Sequence, residues 1–498
     1  MYINNELQIL VMDEIATYLG PKGYSIKKAN ISVPEQEMIR NELTVKAFAP
    51  KSSISQPTPF PVYRESPKKL YVPRFYGINT YGVPDGITIS DGEDIDIEFK
   101  GELRDFQKPI VKKYLKVAKT KGCGLLEIHC GAGKTVMALK IISELKKKTL
   151  IIVHKEFLLE QWKERISQFL PDAKIGRIQG KIIDIDDKDI VIGMLQSLSM
   201  KKYPTSLFQE FGLTCIDETH HMGAQVFSNA LFQIVTKYML GLSATMKRKD
   251  GLSNVFKMFL GDVVYKKERE SNDIVTVKGI FYETDDEAFS KVEYNFRGQV
   301  HYSLMIKKLC EFNRRTEFIL KVLQDSLKEN PGQQFIVLAH NRNVLKYLHD
   351  AIEHRKFASV GYYVGGMKQK DLKLSEDKKV VIATYAMAEE ALDIKSLTSL
   401  IMVTPKSDVR QAVGRILRKK QSTALIYDII DMHGLFQRQW QKRCTWYRKQ
   451  KFTIMSANNS DYEKNNWAML SSGGKKFKKT KKIAKSDISH LLKGVCLV

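Results

Sequence analysis

What the chain has little of narrows its class first. Its 498 residues include only six cysteines, Cys123, Cys130, Cys215, Cys310, Cys444 and Cys496, and none forms a Cys-x-x-Cys pair. That scatter argues against a disulfide framework or a cysteine-bound zinc and fits a reducing, intracellular compartment such as cytoplasm or nucleus. No apolar run approaches the ~20 residues of a membrane span. The opening Met1-Tyr2-Ile3-Asn4-Asn5-Glu6 lacks the basic-then-apolar layout of a secretory leader. Acidic residues are outnumbered: 56 Asp+Glu face 80 Lys+Arg, a net charge of +24. A surplus of this size points to a polyanionic partner, most often nucleic acid. With 43% hydrophobic and 10% aromatic residues, global disorder is excluded. At roughly 150 residues per domain, the chain has room for about three.

The composition changes along the chain. Residues 1–95 read as an N-terminal accessory domain with a Ser/Pro-rich stretch at 50–61 and an aromatic one, Leu70-Tyr71-Val72-Pro73-Arg74-Phe75-Tyr76-Gly77. The aromatics read as a small hydrophobic core, with a base-stacking platform as the alternative. The acidic run Asp91-Gly92-Glu93-Asp94-Ile95-Asp96 reads as an exposed junction. From 96 to 262, continuous apolar runs alternate with amphipathic segments. Leu125-Leu126-Glu127-Ile128, Thr149-Leu150-Ile151-Ile152-Val153, Ile190-Val191-Ile192, Leu213-Thr214-Cys215-Ile216 and Met239-Leu240-Gly241-Leu242 read as strands. Ala138, Ile141, Ile142 and Leu145 fall at i, i+3, i+4 and i+7, as on a helix. Buried strands separated by helices predict a parallel sheet covered on both faces, an α/β fold. The more polar stretch 263–305 reads as a connector or insertion. A second α/β series over 306–450 has strands at Phe335-Ile336-Val337-Leu338, Val380-Val381-Ile382-Ala383, Leu400-Ile401-Met402-Val403 and Ala424-Leu425-Ile426-Tyr427. Two such units in tandem imply a cleft between them. Residues 451–498 read as a basic tail, with ten Lys against Asp461, Glu463 and Asp487; such a run is either a solvated tail or an anchor on phosphates.

Chemistry-bearing residues cluster in both units. His129-Cys130-Gly131-Ala132-Gly133-Lys134-Thr135 lies between a strand and a helix. Gly131 and Gly133 let the backbone curl so that successive N–H groups face a phosphate, and the helix N-terminus adds positive potential there. Lys134 can reach β- and γ-phosphates, and the Thr135 hydroxyl can bind Mg²⁺. The phosphate-loop pattern asks for Gly at 128, where this chain has Ile128. Asp217-Glu218-Thr219-His220 follows the strand ending at Ile216. There Asp217 can hold Mg²⁺, and Glu218 can polarise the water that attacks the γ-phosphate. In the second unit, Gln411, Arg415 and Arg418 share one helical face while Val409, Val413, Ile416 and Leu417 pack inward. Guanidinium groups aimed across the cleft would neutralise charge on a transferring phosphoryl group. Hydrolysis would then depend on cleft closure.

In this order the motifs resemble those of superfamily 2 helicases and translocases. Gly241-Leu242-Ser243-Ala244-Thr245 is similar to the family's Ser-Ala-Thr motif, and Gln411-x-x-Gly414-Arg415-x-x-Arg418 to its last motif. Leu103-Arg104-Asp105-Phe106-Gln107, Lys247-Arg248-Lys249-Asp250-Gly251 and Trp446-Tyr447-Arg448-Lys449 resemble the branch of the XPB and UvsW helicases, which also has members in large DNA viruses. The resemblance spans about residues 100 to 450. It implies two tandem RecA-like domains and ATP as cofactor, bound by Cys130, Gly131, Ala132, Gly133, Lys134 and Thr135, with Gln107 on adenine and Arg104 nearby. It further implies that Ser243 and Thr245 couple nucleotide state to the track. Asp393, in Thr384-Tyr385-Ala386-Met387-Ala388-Glu389-Glu390-Ala391-Leu392-Asp393, would touch nucleotide and backbone phosphate. Here Ala391 replaces the usual Gly, and Met246 the usual Pro after Ser-Ala-Thr. His154, Lys155, Gln196, Ser197, Asn341, Arg342 and Thr384 would contact nucleic acid, DNA more than RNA, with transcription, repair or recombination as the setting and proteins of those processes as partners. Two other functions fit parts of the pattern. One is an ATP-switched nucleic-acid-binding or transcription factor without strand separation; the other is a P-loop phosphotransferase, which does not account for Gln411, Arg415 and Arg418.

Overall fold

The computed structural model describes residues 16–49, 56–129, 131–219, 222–246, 248, 250–267, 274–390, 392, 394–417 and 423–472. Cys130, Asp393, Arg418 and the lysine run at 475–482 lie outside the described residues, as do His220, Lys247, Lys249 and Ala391. The chain divides into two compact units, Met1–Arg269 and Glu270–Val498.

The first unit opens with seven short strands, β1 (Thr17–Gly20), β2 (Gly23–Lys27), β3 (Thr44–Val45), β4 (Phe60–Pro61), β5 (Arg64–Glu65), β6 (Lys69–Val72) and β7 (Gly86–Ile87). Five form a sheet in the order β5-β6-β2-β1-β7, and β3 pairs with β4. The aromatic stretch is core: Leu70, Val72 and Tyr76 are buried with Tyr24, Ile26, Ile39 and Leu43. Gly77 lets the helix Arg74–Tyr81 lie directly on Tyr24, because a Cβ there would stand 2.2 Å from its ring. This region is not the separate domain expected over 1–95. Phe60 and Val62 are buried in the same core as residues of the large sheet that follows. Arg74 donates to the carbonyls of Lys121 and Lys237, both at 3.1 Å.

The acidic junction is likewise tied down, although its carboxylates stay exposed. Lys148 Nζ lies 2.9 Å from Glu93 and 2.5 Å from Glu210. Lys147 pairs with Asp94, Lys146 with Asp96 and Lys237 with Asp91. Ile95 and Ile97 between these acids are buried. Exposed pairs of this kind are individually weak. The buried isoleucines supply the hydrophobic anchor.

The large sheet of this unit contains β8 (Cys123–Ile128), β9 (Thr149–Val153), β10 (Ile175–Gln179), β11 (Ile182–Asp184), β12 (Ile190–Met194), β13 (Leu213–Ile216), β14 (Tyr238–Ser243) and β15 (Val263–Lys267). Their order is β11-β10-β12-β9-β13-β14-β8-β15. All neighbours are parallel except the β10–β11 hairpin. The β-branched, continuously apolar runs expected as buried strands take these central places because helices cover both faces. Loops at the C-terminal ends of β8, β9, β12, β13 and β14 therefore open on one edge, where ligands bind in such sheets.

The second unit contains β16 (Val275–Tyr282), β17 (Gln334–Ala339), β18 (Val360–Tyr363), β19 (Val380–Thr384), β20 (Leu397–Met402), β21 (Ala424–Asp431), β22 (Thr453–Asn458) and β23 (Ala468–Ser472). The order is β18-β19-β17-β20-β21-β16-β22-β23, parallel but for β22–β23. Two domain boundaries are thereby corrected. The stretch 263–305 is no connector, since β15 completes the first sheet and β16 is an interior strand of the second. The supposed tail from 451 begins with β22, a helix Asn459–Glu463 and β23, so the second sheet runs past 450. Among the described residues, no helix is long and apolar enough to cross a membrane.

Candidate active site

The strand β8 runs into the phosphate loop and then the helix Lys134–Leu145. Gly131 and Gly133 have φ of 80° and 82°, a left-handed conformation that glycine adopts without the Cβ penalty. Gln107 braces the loop. Its side-chain N–H donates to the Ala132 carbonyl at 2.7 Å, and its amide oxygen accepts from Arg104 N at 2.9 Å. A Cβ on Gly133 would meet Gln107 Nε2 at 2.5 Å. Gln107 is buried in this arrangement. The resemblance implies an adenine contact for Gln107; here the amide oxygen and one N–H are engaged by the protein itself, with Arg104 supplying a backbone N–H while its side chain is exposed.

Lys134, the first residue of that helix, places Nζ 3.0 Å from Glu218 Oε1; their side chains are 9% and 20% exposed. Asp217 is more enclosed. Trp162 Nε1 donates to its Oδ2 at 2.9 Å, and Glu218 N donates to its Oδ1 at 2.9 Å. Burial first, and then the neighbouring Glu218 charge, push the Asp217 carboxyl up to about 6, against the pull of Lys134. Glu218 has φ of 48°. A left-handed glutamate costs roughly 1–2 kcal/mol, and such strain gathers where a side chain must be aimed. Trp162 is a site residue that pattern reading missed. It sits at an ordinary apolar position of the helix Glu156–Phe169, with Leu158, Leu159 and Ile166 also buried. Nothing in that spacing signals a hydrogen bond to Asp217.

The loop after β14 is linked to the same cluster. Ser243 Oγ donates to the Thr245 carbonyl at 2.5 Å and accepts from Thr245 N at 3.2 Å. Ser243 lies opposite Glu127 in the register with β8, beside the start of the phosphate loop. The Thr219 hydroxyl lies 3.8 Å from Met246 Sδ, joining the two loops. Arg248 donates to the Met222 carbonyl at 2.7 Å and to Asp250 at 2.9 Å. His154 and Lys155 follow β9, and Lys155 stands at the N-cap position of the next helix without a side-chain cap. Gln196 is exposed after β12, whereas the neighbouring Ser197 hydroxyl accepts from Gly180 N at 2.9 Å and so holds the β10–β11 turn.

In the second unit, Gln411 and Arg415 lie on the helix Arg410–Ile416. This helix ends at Ile416, with Leu417 in a non-helical conformation. Arg415 donates to the Leu392 carbonyl at 2.8 Å and to the Glu389 carbonyl, which ties the last motif to the segment before Asp393. Asn341 caps the helix Arg342–Arg355 by accepting from Asn343 N at 2.8 Å. Arg342 donates to the Gly365 carbonyl. Thr384 ends β19, its hydroxyl accepting from Met387 N at 3.5 Å.

A P-loop nucleoside triphosphatase is the class that this sheet and loop define. A family model described as the type III restriction enzyme res subunit matches residues 100–248. A mimivirus protein named an ATP-dependent RNA helicase, L396, is 34% identical over 456 residues, 89% of this chain and 87% of its own. The DNA 3'-5' translocase XPB2 of Sulfurisphaera tokodaii is 26% identical across 67% of this chain and 82% of its own. Among solved structures, T4 UvsW covers 86% of this chain and 96% of its own at 17% identity, with a TM-score of 0.32. At 34% identity over most of both chains the kinship is plain: this chain belongs to the superfamily 2 helicases. It is an ATP-dependent helicase or translocase, and nucleic acid is its partner.

Proposed function

We propose that the chain moves along DNA, in transcription, repair or recombination, driven by hydrolysis of a triphosphate held at the phosphate loop. The observation that carries this reading is the Lys134–Glu218 ion pair at the phosphate loop. The lysine neutralises the glutamate. Phosphate oxygens would draw Lys134 away and leave Glu218 free to orient the attacking water. The N–H groups of 131–134 would hold the phosphates at the helix N-terminus. Mg²⁺ fits the donors present: Asp217 is a carboxylate whose pKa is raised first by burial and then by the Glu218 charge, and Thr135 offers a hydroxyl near the start of the same helix. Thr135 and Asp217 would hold the ion, which would supply charge neutralisation on the phosphates. Gln411, Arg415 and Arg418 would neutralise charge on the transferring phosphoryl group, and for Arg415 that means leaving the Glu389 and Leu392 carbonyls.

Glu218→Gln tests the reading. It is expected to keep ATP binding and to lose nucleic-acid-stimulated turnover by about 10²–10⁴-fold; undiminished turnover would refute it. ATPase rates with single-stranded DNA, duplex DNA and RNA identify the track. Strand displacement beside ATPase separates a motor from an ATP-switched binding factor.

A further inference from the structure

The helix Lys108–Lys121 carries six lysines and no acidic residue in 14 positions. We propose that its outer face is a second docking strip for a nucleic-acid backbone, separate from the loops at the strand ends. The strip rests on the functional reading above only in taking nucleic acid as the polyanion.

The inward face of this helix is ordinary core, with Ile110, Val111, Tyr114 and Ala118 buried. The Tyr114 hydroxyl donates to the Met239 carbonyl at 2.9 Å, which fixes the helix's rotation. Lys108, Lys112, Lys116 and Lys119 are all exposed. At 100° per residue they fall within an arc of roughly 80°, and they span about 16 Å of axis. Lys108 pairs with Asp105. Among the described residues, Lys112, Lys116 and Lys119 have no acidic partner. Like charges at i, i+4 destabilise a helix, and this one places such pairs at 108/112 and 112/116. The helix Glu156–Phe169, of equal length in the same unit, does the reverse: three glutamates are mixed with Lys163 and Arg165. A C-terminal helix dipole accounts for Lys119 and Lys121 but not for Lys112 or Lys116. Uncompensated repulsion along one stripe is the kind of local conflict that a function explains.

The dimensions fit a phosphate chain. About 16 Å of duplex axis presents about five phosphates on one strand. Lysine offers a flexible point charge rather than a planar fork, suited to a backbone contacted without regard to sequence. The strip begins one residue after Gln107, whose amide holds the Ala132 carbonyl. A strand lying there is therefore mechanically close to the phosphate loop.

The test uses the full-length chain with Lys112, Lys116 and Lys119 replaced together by Gln, and binding to a 30-base-pair mixed-sequence DNA duplex and to its single strand across salt. Losing three phosphate contacts lowers the slope of log affinity against log salt by about 2 to 3. From 50 to 200 mM salt, the wild type then loses about 20- to 40-fold more affinity than the variant. ATPase without nucleic acid stays unchanged, which confirms folding. A second variant with Glu at the three positions weakens binding further. An unchanged salt slope in both variants overturns the strip while stimulated ATPase still stands. Loss of affinity for polyglutamate with none for DNA also overturns it, because the strip would then be a site for acidic protein. A wild type that no nucleic acid stimulates defeats the functional reading instead.

Discussion

The two units use the same cation–carboxylate chemistry in opposite ways. In the first, Lys134 meets Glu218 at 3.0 Å, with the Glu218 side chain 20% exposed, beside the buried Asp217. In the second, Arg315 makes two hydrogen bonds to Asp431, at 2.6 and 2.9 Å, plus one to the Val403 carbonyl, and both side chains are fully buried. Arg443 does the same with Asp428 at 2.7 and 2.8 Å and adds the Lys406 carbonyl. The pairs in the second unit are buried and tie β21 to the segment after β20. A partly exposed contact is one that a phosphate can replace. Valence and burial, more than residue type, separate a working pair from a structural one.

The sharpest break in that comparison is Arg415, a second-unit cation assigned to chemistry. Arg415→Ala is expected to cut kcat about 10³-fold or more, while Arg410→Ala, whose guanidinium rests on Asp408, changes it less than about threefold. Reduced thermal stability with kcat intact per folded molecule would place Arg415 among the structural arginines. Arg443→Met, which strands Asp428, is expected to cost about 3–5 kcal/mol in denaturant unfolding. Arg443→Met with Asp428→Leu should recover most of it; no recovery would mean that the pair itself was stabilising.

Protonation sharpens the contrast from the other side. Because burial holds the Asp217 carboxyl up to about 6, Mg²⁺-ATP bound through Asp217 as proposed would have to displace its proton below that pH. Apparent Kd is expected to rise about tenfold per pH unit there and to lose this dependence in Asp217→Asn. For the ligand-free fold the sign is reversed: the bound proton favours it fully below about pH 4, and that contribution fades as pH rises through about 6. The smallest effect is expected from Trp162→Phe, which removes a hydrogen bond to the charged carboxylate. It should move the fall-off in ATP binding toward neutral pH by about one unit.

Much of the first unit was legible. Strands such as Thr149–Val153 and Leu213–Ile216 are continuous apolar runs, and the loop between Ile128 and Lys134 declares itself by its glycines. β16 was missed because Lys278 and Gly279 interrupt its run in a polar neighbourhood. It is central only because distant segments, Ala424–Asp431 and Thr453–Asn458, pair on either side, while the Tyr427 and Trp467 rings take the Lys278 ammonium. Ser197 and Asn341 carry the hydrogen bonds of turn and cap residues, a role their types also allow.

Sequence alone settled the kinds of chemistry present: a phosphate-binding loop, paired acids, an arginine-bearing helix and a cationic surface, each written in neighbouring residues at short spacing. Tertiary structure decided which groups meet. Lys134 faces Glu218, Trp162 holds Asp217 and Gln107 grips the loop because long-range strand order brings them together. Local patterns encode periodicity and backbone preference, whereas burial and partner choice depend on segments that here lie 25 to 84 residues apart.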